Sequence, residues 1–242
     1  MKILRMDRGL LSAPVGDSRR FGSLVELRDV DFPKASGIAC NMLPFVMGEP
    51  DSIPEAFRRY AALIEACQLE PEQFGKIGYL SVQENAVTAD RPSQRRPGIH
   101  TEKHPTRGWG GGWGRGEDRK DGIYMASTVD ASCRAWNVHV ETPGEMGDCE
   151  HLRAELETLF PVWMRANQLY WMTDSAPHES LPLATGTFRQ WFRLVTHKVD
   201  LWYEDHSTAS TLGILPACRI VRGDKFAAPS TAEIPIPGEA KP

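Results

Sequence analysis

His100 and Glu102 stand two residues apart in Ile99-His100-Thr101-Glu102-Lys103-His104-Pro105, a short extended piece stopped by proline. On a strand such residues share one face about 6.6–7 Å apart at Cα, so both side chains can converge on one ion. An imidazole nitrogen with a carboxylate oxygen suits Fe(II), Zn(II) or Mn(II). The same spacing recurs at His139-x-Glu141, at the end of an apolar stretch. His104 is less well placed, about 13 Å from His100 on a straight strand. Further on, the apolar run Leu169 to Met172 ends in a polar turn, and His178 opens the next element between Pro177 and Pro182. Eleven residues after His178 comes Arg189, in Phe188-Arg189-Gln190-Trp191-Phe192-Arg193-Leu194-Val195. Arg189, Trp191 and Arg193 share one strand face, and Phe188, Phe192 and Leu194 take the other. If the first face is buried, its two guanidiniums need an anionic partner.

The elements that must hold these residues are mostly extended. Lys76 to Val87 reads as a strand or hairpin. Ile123 to Val129 and Cys133 to Glu141 read as two strands joined as a hairpin around Asp130-Ala131-Ser132, and Gln168 to Thr173 and Phe188 to Tyr203 as further strands. Two helices are expected. Ser52-Ile53-Pro54-Glu55 is a capping-box pattern opening a helix to about residue 67, with Phe57, Tyr60, Ala61 and Ile64 on its apolar face. Asp148 caps a second, with Leu152, Leu156, Leu159 and Phe160 at helical spacing. The first fifty residues, broken by Pro and Gly, suggest irregular structure with one or two strands.

The 242 residues carry 41% hydrophobic and 25% charged side chains and a net charge of −4, a globular rather than a disordered composition. No apolar run reaches the roughly 18 residues that cross a membrane, and the opening Met-Lys-Ile-Leu-Arg-Met-Asp-Arg breaks up with charge before a secretory signal could form. Five cysteines without a CxxC pair argue against a disulfide framework or a thiolate zinc site, and for a reducing, cytoplasmic setting. The overall charge gives no pull toward nucleic acid. Charge is nevertheless uneven: Arg91 to Lys120 holds eight Lys or Arg against three Asp or Glu, which favours a small anionic substrate or co-substrate unless the loop is simply solvated. Within it, residues 108–116 contain six glycines with Trp109 and Trp113, which could close over a substrate as a lid.

Taken together, a short HxE, a distal His, and an Arg about ten residues beyond it in a β-rich chain resemble the Fe(II)/2-oxoglutarate-dependent dioxygenases. The distal half, Leu169-Tyr170-Trp171-Met172-Thr173-Asp174 through Pro177-His178-Glu179 to Arg189, is similar to prolyl-hydroxylase-type members. The likeness covers residues 76 to 205; the acid is Glu where Asp is commoner in the family. It implies a mainly β fold, a double-stranded β-helix of the jelly-roll or cupin-like kind with flanking helices, over residues 76–222. Residues 1–75 would then be an N-terminal extension with a helix near 52–67, and 223–242 a loosely held tail. It also implies Fe(II) on His100, Glu102 and His178, and 2-oxoglutarate as co-substrate. Arg189, with Arg193 and Tyr124 nearby, would bind that co-substrate, and Trp136, Asn137 and His139 would line the substrate pocket. The family places several core strands between the ligand pair and the distal His; this favours His100 and Glu102 over His139 and Glu141. A carboxylate ligand implies hydroxylation rather than halogenation. The rival readings are a cupin-type metalloenzyme independent of 2-oxoglutarate, with His104 as a further ligand, and a β-barrel binding protein for an anionic ligand.

Overall fold

The computed structural model describes residues 4–6, 23–102 and 122–222. Among these residues the strands are, in chain order, β1 (Leu4–Met6), β2 (Leu24–Asp29), β3 (Ala39–Val46), β4 (Ile77–Ala86), β5 (Ile123–Ser127), β6 (Cys133–Ala135) and β7 (Val138–Val140). There follow β8 (Val162–Trp163), β9 (Gln168–Met172), β10 (His178–Ser180), β11 (Phe188–Val195), β12 (Leu201–Tyr203) and β13 (Arg219–Val221). The helices α1 (Glu55–Arg58), α2 (Ala61–Ala66) and α3 (Arg153–Leu156) are one turn or slightly more. The fold is mainly β.

Six strands form one antiparallel sheet in the order β2-β9-β5-β11-β4-β3, and three form a second in the order β10-β6-β8. His100 extends the second sheet through a single antiparallel bridge to His178, the first residue of β10. The chain therefore alternates between sheets: β4 in the first, His100 in the second, β5 back in the first, β6 and β8 in the second, then β9, β10 and β11 in turn. The stretch before residue 76 supplies both edge strands of the large sheet, β2 against β9 and β3 against β4.

Strand parity sorts the large sheet's side chains into two layers. On β11, Phe192 and Leu194 join Leu80, Val82, Tyr124 and Trp171 in a core closed by Tyr60, Leu63 and Ile64 of the helical segment. Trp191 and Val195 face the other way and pack with Met125 and Tyr170 against Cys133, Ala135 and Met164, so the second sheet covers this face. Arg189 and Arg193 lie on that covered face. Both are buried.

Three expectations about the elements fail. The helix expected over 52–67 is broken into a 3-10 turn, α1 and α2. Its capping box does not form, because the Ser52 hydroxyl accepts from the Val46 amide (2.9 Å) and donates to the Glu49 carbonyl (2.6 Å) instead. The chain then turns at Tyr60 (φ −90°, ψ 3°), which still places Tyr60 and Ile64 in the core. The hairpin expected over 123–141 is a corner: β5 and β6 belong to different sheets, and Ser132 Oγ bridges Ser127 Oγ (3.1 Å) and the Val129 carbonyl (2.8 Å) to hold the turn. The helix expected after Asp148 is reduced to a 3-10 turn and α3; Leu152 and Leu156 are buried as the spacing implies, but Phe160 lies beyond the helix and is 99% exposed. The Gly/Trp stretch at 108–116 and the tail at 223–242 lie outside the described residues. All five cysteines are free and buried. No helix among the described residues is long and apolar enough to cross a membrane.

The helical layer is fastened by one buried carboxylate. Glu84 accepts from the amides of Ser36 (2.6 Å), Gly37 (2.8 Å) and Ile38 (3.2 Å) and from the Tyr60 hydroxyl (2.7 Å). Burial alone would raise its pKa; these donors outweigh burial and hold it below the ordinary 4.5. A carboxyl with a depressed folded-state pKa contributes stability that is present above its unfolded value and lost as pH falls through the folded one. Glu84→Gln is therefore expected to lower stability near neutral pH, with the gap to wild type closing in acid. Denaturant unfolding of both proteins at several pH values measures that gap; a gap independent of pH would contradict it.

Candidate metal and anion site

The chain brings His100 and His178 face to face with backbone hydrogen bonds. The His100 amide donates to the His178 carbonyl (3.0 Å) and the His178 amide to the His100 carbonyl (2.9 Å). A pair that exchanges both bonds in an antiparallel bridge points its side chains to the same side. The two rings accordingly sit 4.5 Å apart between centroids, tilted by 55°. Each ring is fixed in the same way: His100 Nδ1 lies 2.7 Å from the Gly98 carbonyl and His178 Nδ1 3.0 Å from the Ala176 carbonyl. A carbonyl only accepts, so each Nδ1 must carry the hydrogen. In the neutral ring this leaves the lone pair on Nε2, the form that ligates a metal. Burial lowers the His178 pKa and favours that neutral form, against the pull of Glu102.

The turn before His100 depends on Gly98, which has φ +78°; a Cβ there would also meet Glu150 Oε1 at 3.0 Å. Glu150 is part of a brace behind the two histidines. Its Oε1 accepts from the Ile99 amide (2.6 Å), and Arg153 Nη2 joins it (2.7 Å) to Glu179 (2.9 Å). Arg134 holds the other Glu179 oxygen (2.5 Å). The neighbours of both histidines are thus tied to one arginine.

Glu102, two residues beyond His100, turns toward the same space. Its Oε1 is 4.0 Å from His178 Nε2 and accepts from Arg193 Nη1 at 2.9 Å. As they stand, the side chains do not close on a common point, and no group of three His, Cys, Asp or Glu among the described residues is already gathered around an ion position. His100, Glu102, His178, Trp191 and Arg193 line a cleft of about 760 Å³. That volume is within the range of small-molecule sites.

Arg95 and Arg193 in the wall, with Arg189 on the same face of β11 as Arg193, give the cleft its character. Arg193 pairs with Glu102, as above. Arg189 is wholly buried; its Nε donates to Ser127 Oγ (2.9 Å), while among the described residues Nη1 and Nη2 have no hydrogen-bond partner. Burial pulls its pKa down to about 10. Arg189 is not itself in the cleft wall; Trp191 and Arg193, on the same face of β11, are. Arg95, from the loop after β4, lies over the Trp191 ring at 4.0 Å, with Arg193 5.5 Å from the same ring.

The remaining candidates fall elsewhere. Tyr124 points to the helix-covered face, where its hydroxyl donates to the Gln68 carbonyl (2.6 Å); it is not in the cleft wall. Trp136 is buried in a satellite core with Val138, Leu152 and Leu156. Asn137 Oδ1 accepts from the amides of Ser23 (2.8 Å) and Leu24 (3.0 Å), a structural task. His139 is on β7, paired with β1, and neither it nor Glu141 lines the cleft. His104, Trp109 and Trp113 lie outside the described residues. Arg95 and the Glu150–Arg153–Glu179 brace were not singled out from the sequence. Arg95 is one of eight cations in its stretch, and only the folded loop distinguishes it.

Comparison of the chain with protein-family models, with curated proteins and with solved structures gives no match.

The arrangement separates the two HxE pairs. Glu102→Ala is expected to weaken Mn(II) binding by more than the roughly ten- to hundred-fold that loss of a supporting partner costs. Glu141→Ala, outside the cleft, should leave the titration unchanged. The opposite pattern by calorimetry would move the site to His139 and Glu141.

Proposed function

We propose that this protein is an Fe(II)- and 2-oxoglutarate-dependent oxygenase built on a double-stranded β-helix, hydroxylating a small molecule with release of succinate and CO2. The observation that carries the reading is the His100–His178 pair, with both Nδ1 atoms committed to carbonyls, set beside Glu102 in a cleft backed by arginines. The strand layout supports it as well. Strands β4-β11-β5-β9 in one sheet and His100-β10-β6-β8 in the other, visited alternately, follow the order of a jelly roll of two facing four-stranded sheets.

The residues fit the implied metal. Two neutral imidazoles and a carboxylate form the donor set of non-haem iron oxygenases. Two atoms bound to one ion at about 2.0–2.2 Å lie no more than about 4.4 Å apart. The 4.0 Å between His178 Nε2 and Glu102 Oε1 is inside that span. His100, Glu102 and His178 would hold Fe(II), and when bound it would supply the activation of oxygen that couples 2-oxoglutarate decarboxylation to substrate oxidation.

The chain's own contribution is positioning and charge. The carbonyls of Gly98 and Ala176 hold the two rings in their ligating tautomer. Arg193 balances the Glu102 carboxylate in a wall from which water is largely excluded. Arg189, with two buried nitrogens that meet no acceptor among the described residues, is the group suited to fork onto the far carboxylate of 2-oxoglutarate. Trp191 lies between the two arginines on the same face and offers a flat apolar floor.

Aerobic incubation with Fe(II) and 2-oxoglutarate is expected to yield succinate, slowly without the primary substrate. Metal binding with no 2-oxoglutarate binding would favour a cupin-type enzyme, and neither would favour a binding protein. Arg189→Lys should weaken 2-oxoglutarate binding about ten- to a hundred-fold while sparing metal, because an ammonium cannot make two parallel bonds. If Arg193→Lys shows that loss instead, the co-substrate lies one pleat repeat closer to the histidines.

A further inference from the structure

The loop from Asp90 to Pro97 is a built wall of the cleft. Gln94, in a left-handed conformation (φ 59°), is buried and donates from Nε2 to the Asn85 carbonyl (3.0 Å) and Asn85 Oδ1 (2.7 Å). Ser93 Oγ donates to the Arg95 carbonyl (2.7 Å), and the Leu183 amide donates to the Pro92 carbonyl (2.8 Å). The chain leading into Arg95 is thereby pinned to β4 and to the segment after β10.

Arg95 itself is half-buried between the Trp191 ring (4.0 Å) and Gln83, whose Oε1 accepts from Nη1 at 3.3 Å. Among the described residues no carboxylate forms an ion pair with it. Burial, then the positive charges of Arg193 and Arg189, bring its pKa down to about 9. A guanidinium held against two others is stabilised by any anion that enters.

Charge balance decides what that anion is. The wall carries Arg91, Arg95, Arg96 and Arg193 against Asp90 and Glu102, and Glu102 is committed to Arg193. Under the proposed function, Fe(II) and Arg189 together bring three positive charges and 2-oxoglutarate brings two negative ones, so the co-substrate leaves no negative charge for the loop. Among the described residues of the wall, Arg91, Arg95 and Arg96 then face Asp90 alone. Arg96 is directed to a backbone carbonyl, that of Met146 (2.7 Å). A surplus of cations in a partly enclosed site selects an anionic ligand.

We propose that the primary substrate carries a carboxylate or phosphate group and that Arg95, stacked on Trp191, is the residue that binds it. The assignment to a substrate rests on the oxygenase reading; the existence of an anion site at Arg95 does not. Trp191 and Gln83 hold the guanidinium in place, so its remaining N–H groups are pre-organised for a planar or tetrahedral oxyanion. One such charge-assisted contact is worth about ten-fold or more in affinity.

The test uses the full chain loaded anaerobically with Mn(II) and 2-oxoglutarate, and titrates benzoate, phenyl phosphate and the neutral control benzyl alcohol by calorimetry. Expected is binding of one or both anions but not of the alcohol; which anion binds more tightly tells carboxylate from phosphate. Arg95→Gln should weaken that binding at least ten-fold, with Mn(II) and 2-oxoglutarate affinities unchanged. Should Arg95→Gln not fold, Arg95→Lys carries the test, keeping charge but losing the fork, with an expected loss of several-fold. Equal anion binding in wild type and the variant overturns the proposal. So does mutual exclusion of the anions and 2-oxoglutarate, since Arg95 would then serve the co-substrate. If wild type binds neither Mn(II) nor 2-oxoglutarate yet binds the anions through Arg95, the oxygenase reading falls and the anion site stands.

Discussion

The site depends on two backbone hydrogen bonds. Without the reciprocal bonds between His100 and His178, the segment after the arginine loop would have no fixed register against β10, and Glu102 would have no fixed distance from the second imidazole. Register is strict here because a one-residue slip would send His100 to the opposite face and bring Ile99 and Thr101 toward the cleft. Ile99 is instead held in the satellite core, with its amide on Glu150, and the Thr101 amide bonds the Gly147 carbonyl (2.8 Å). Packing on one side and polar anchoring on both neighbours thus place a histidine on the side where it can act.

The same parity governs β11. Phe192 and Leu194 insert into the helix-covered core, and that burial commits Arg189, Trp191 and Arg193 to the covered face opposite. Burying three long polar or aromatic side chains there costs desolvation, offset in part by Glu102, Ser127 and the ring stack with Arg95. The lowered pKa values of Arg189 and Arg193, with burial the largest cause in each, mark the part that is not offset. A core built only for stability would put leucine or valine in these positions; the retained charge is what makes an anionic ligand the natural complement.

Much of this was legible in the residues. The i, i+2 spacing of His100 and Glu102, the placement of His178 at the start of a strand, and the alternation along Phe188–Val195 are local patterns, and local patterns survive folding when both strand faces are packed. What failed was non-local. β5 and β6 have the apolar character of a hairpin, but alternation does not tell which sheet a strand joins, and Ser132 is used to turn a corner. Tyr124 faces the helix-covered core rather than the cleft, and because every residue of Ile123–Ser127 is buried, alternation does not mark which side of the strand looks to the cleft. Ser52 offers a helix cap, yet the Val46 amide takes its hydroxyl. Arg95 could not be picked from a basic stretch, since its role arises from a loop fastened by Gln94 to a strand nine residues earlier.

The central claim is that both imidazoles present Nε2 lone pairs to one cleft. Long-range proton–nitrogen correlation spectra of the metal-free protein read histidine tautomers directly. His100 and His178 are both expected to carry their hydrogen on Nδ1, and both Nε2 signals to move when Zn(II) is added. A hydrogen on Nε2 of either ring, or Nε2 signals that ignore the metal, would contradict it.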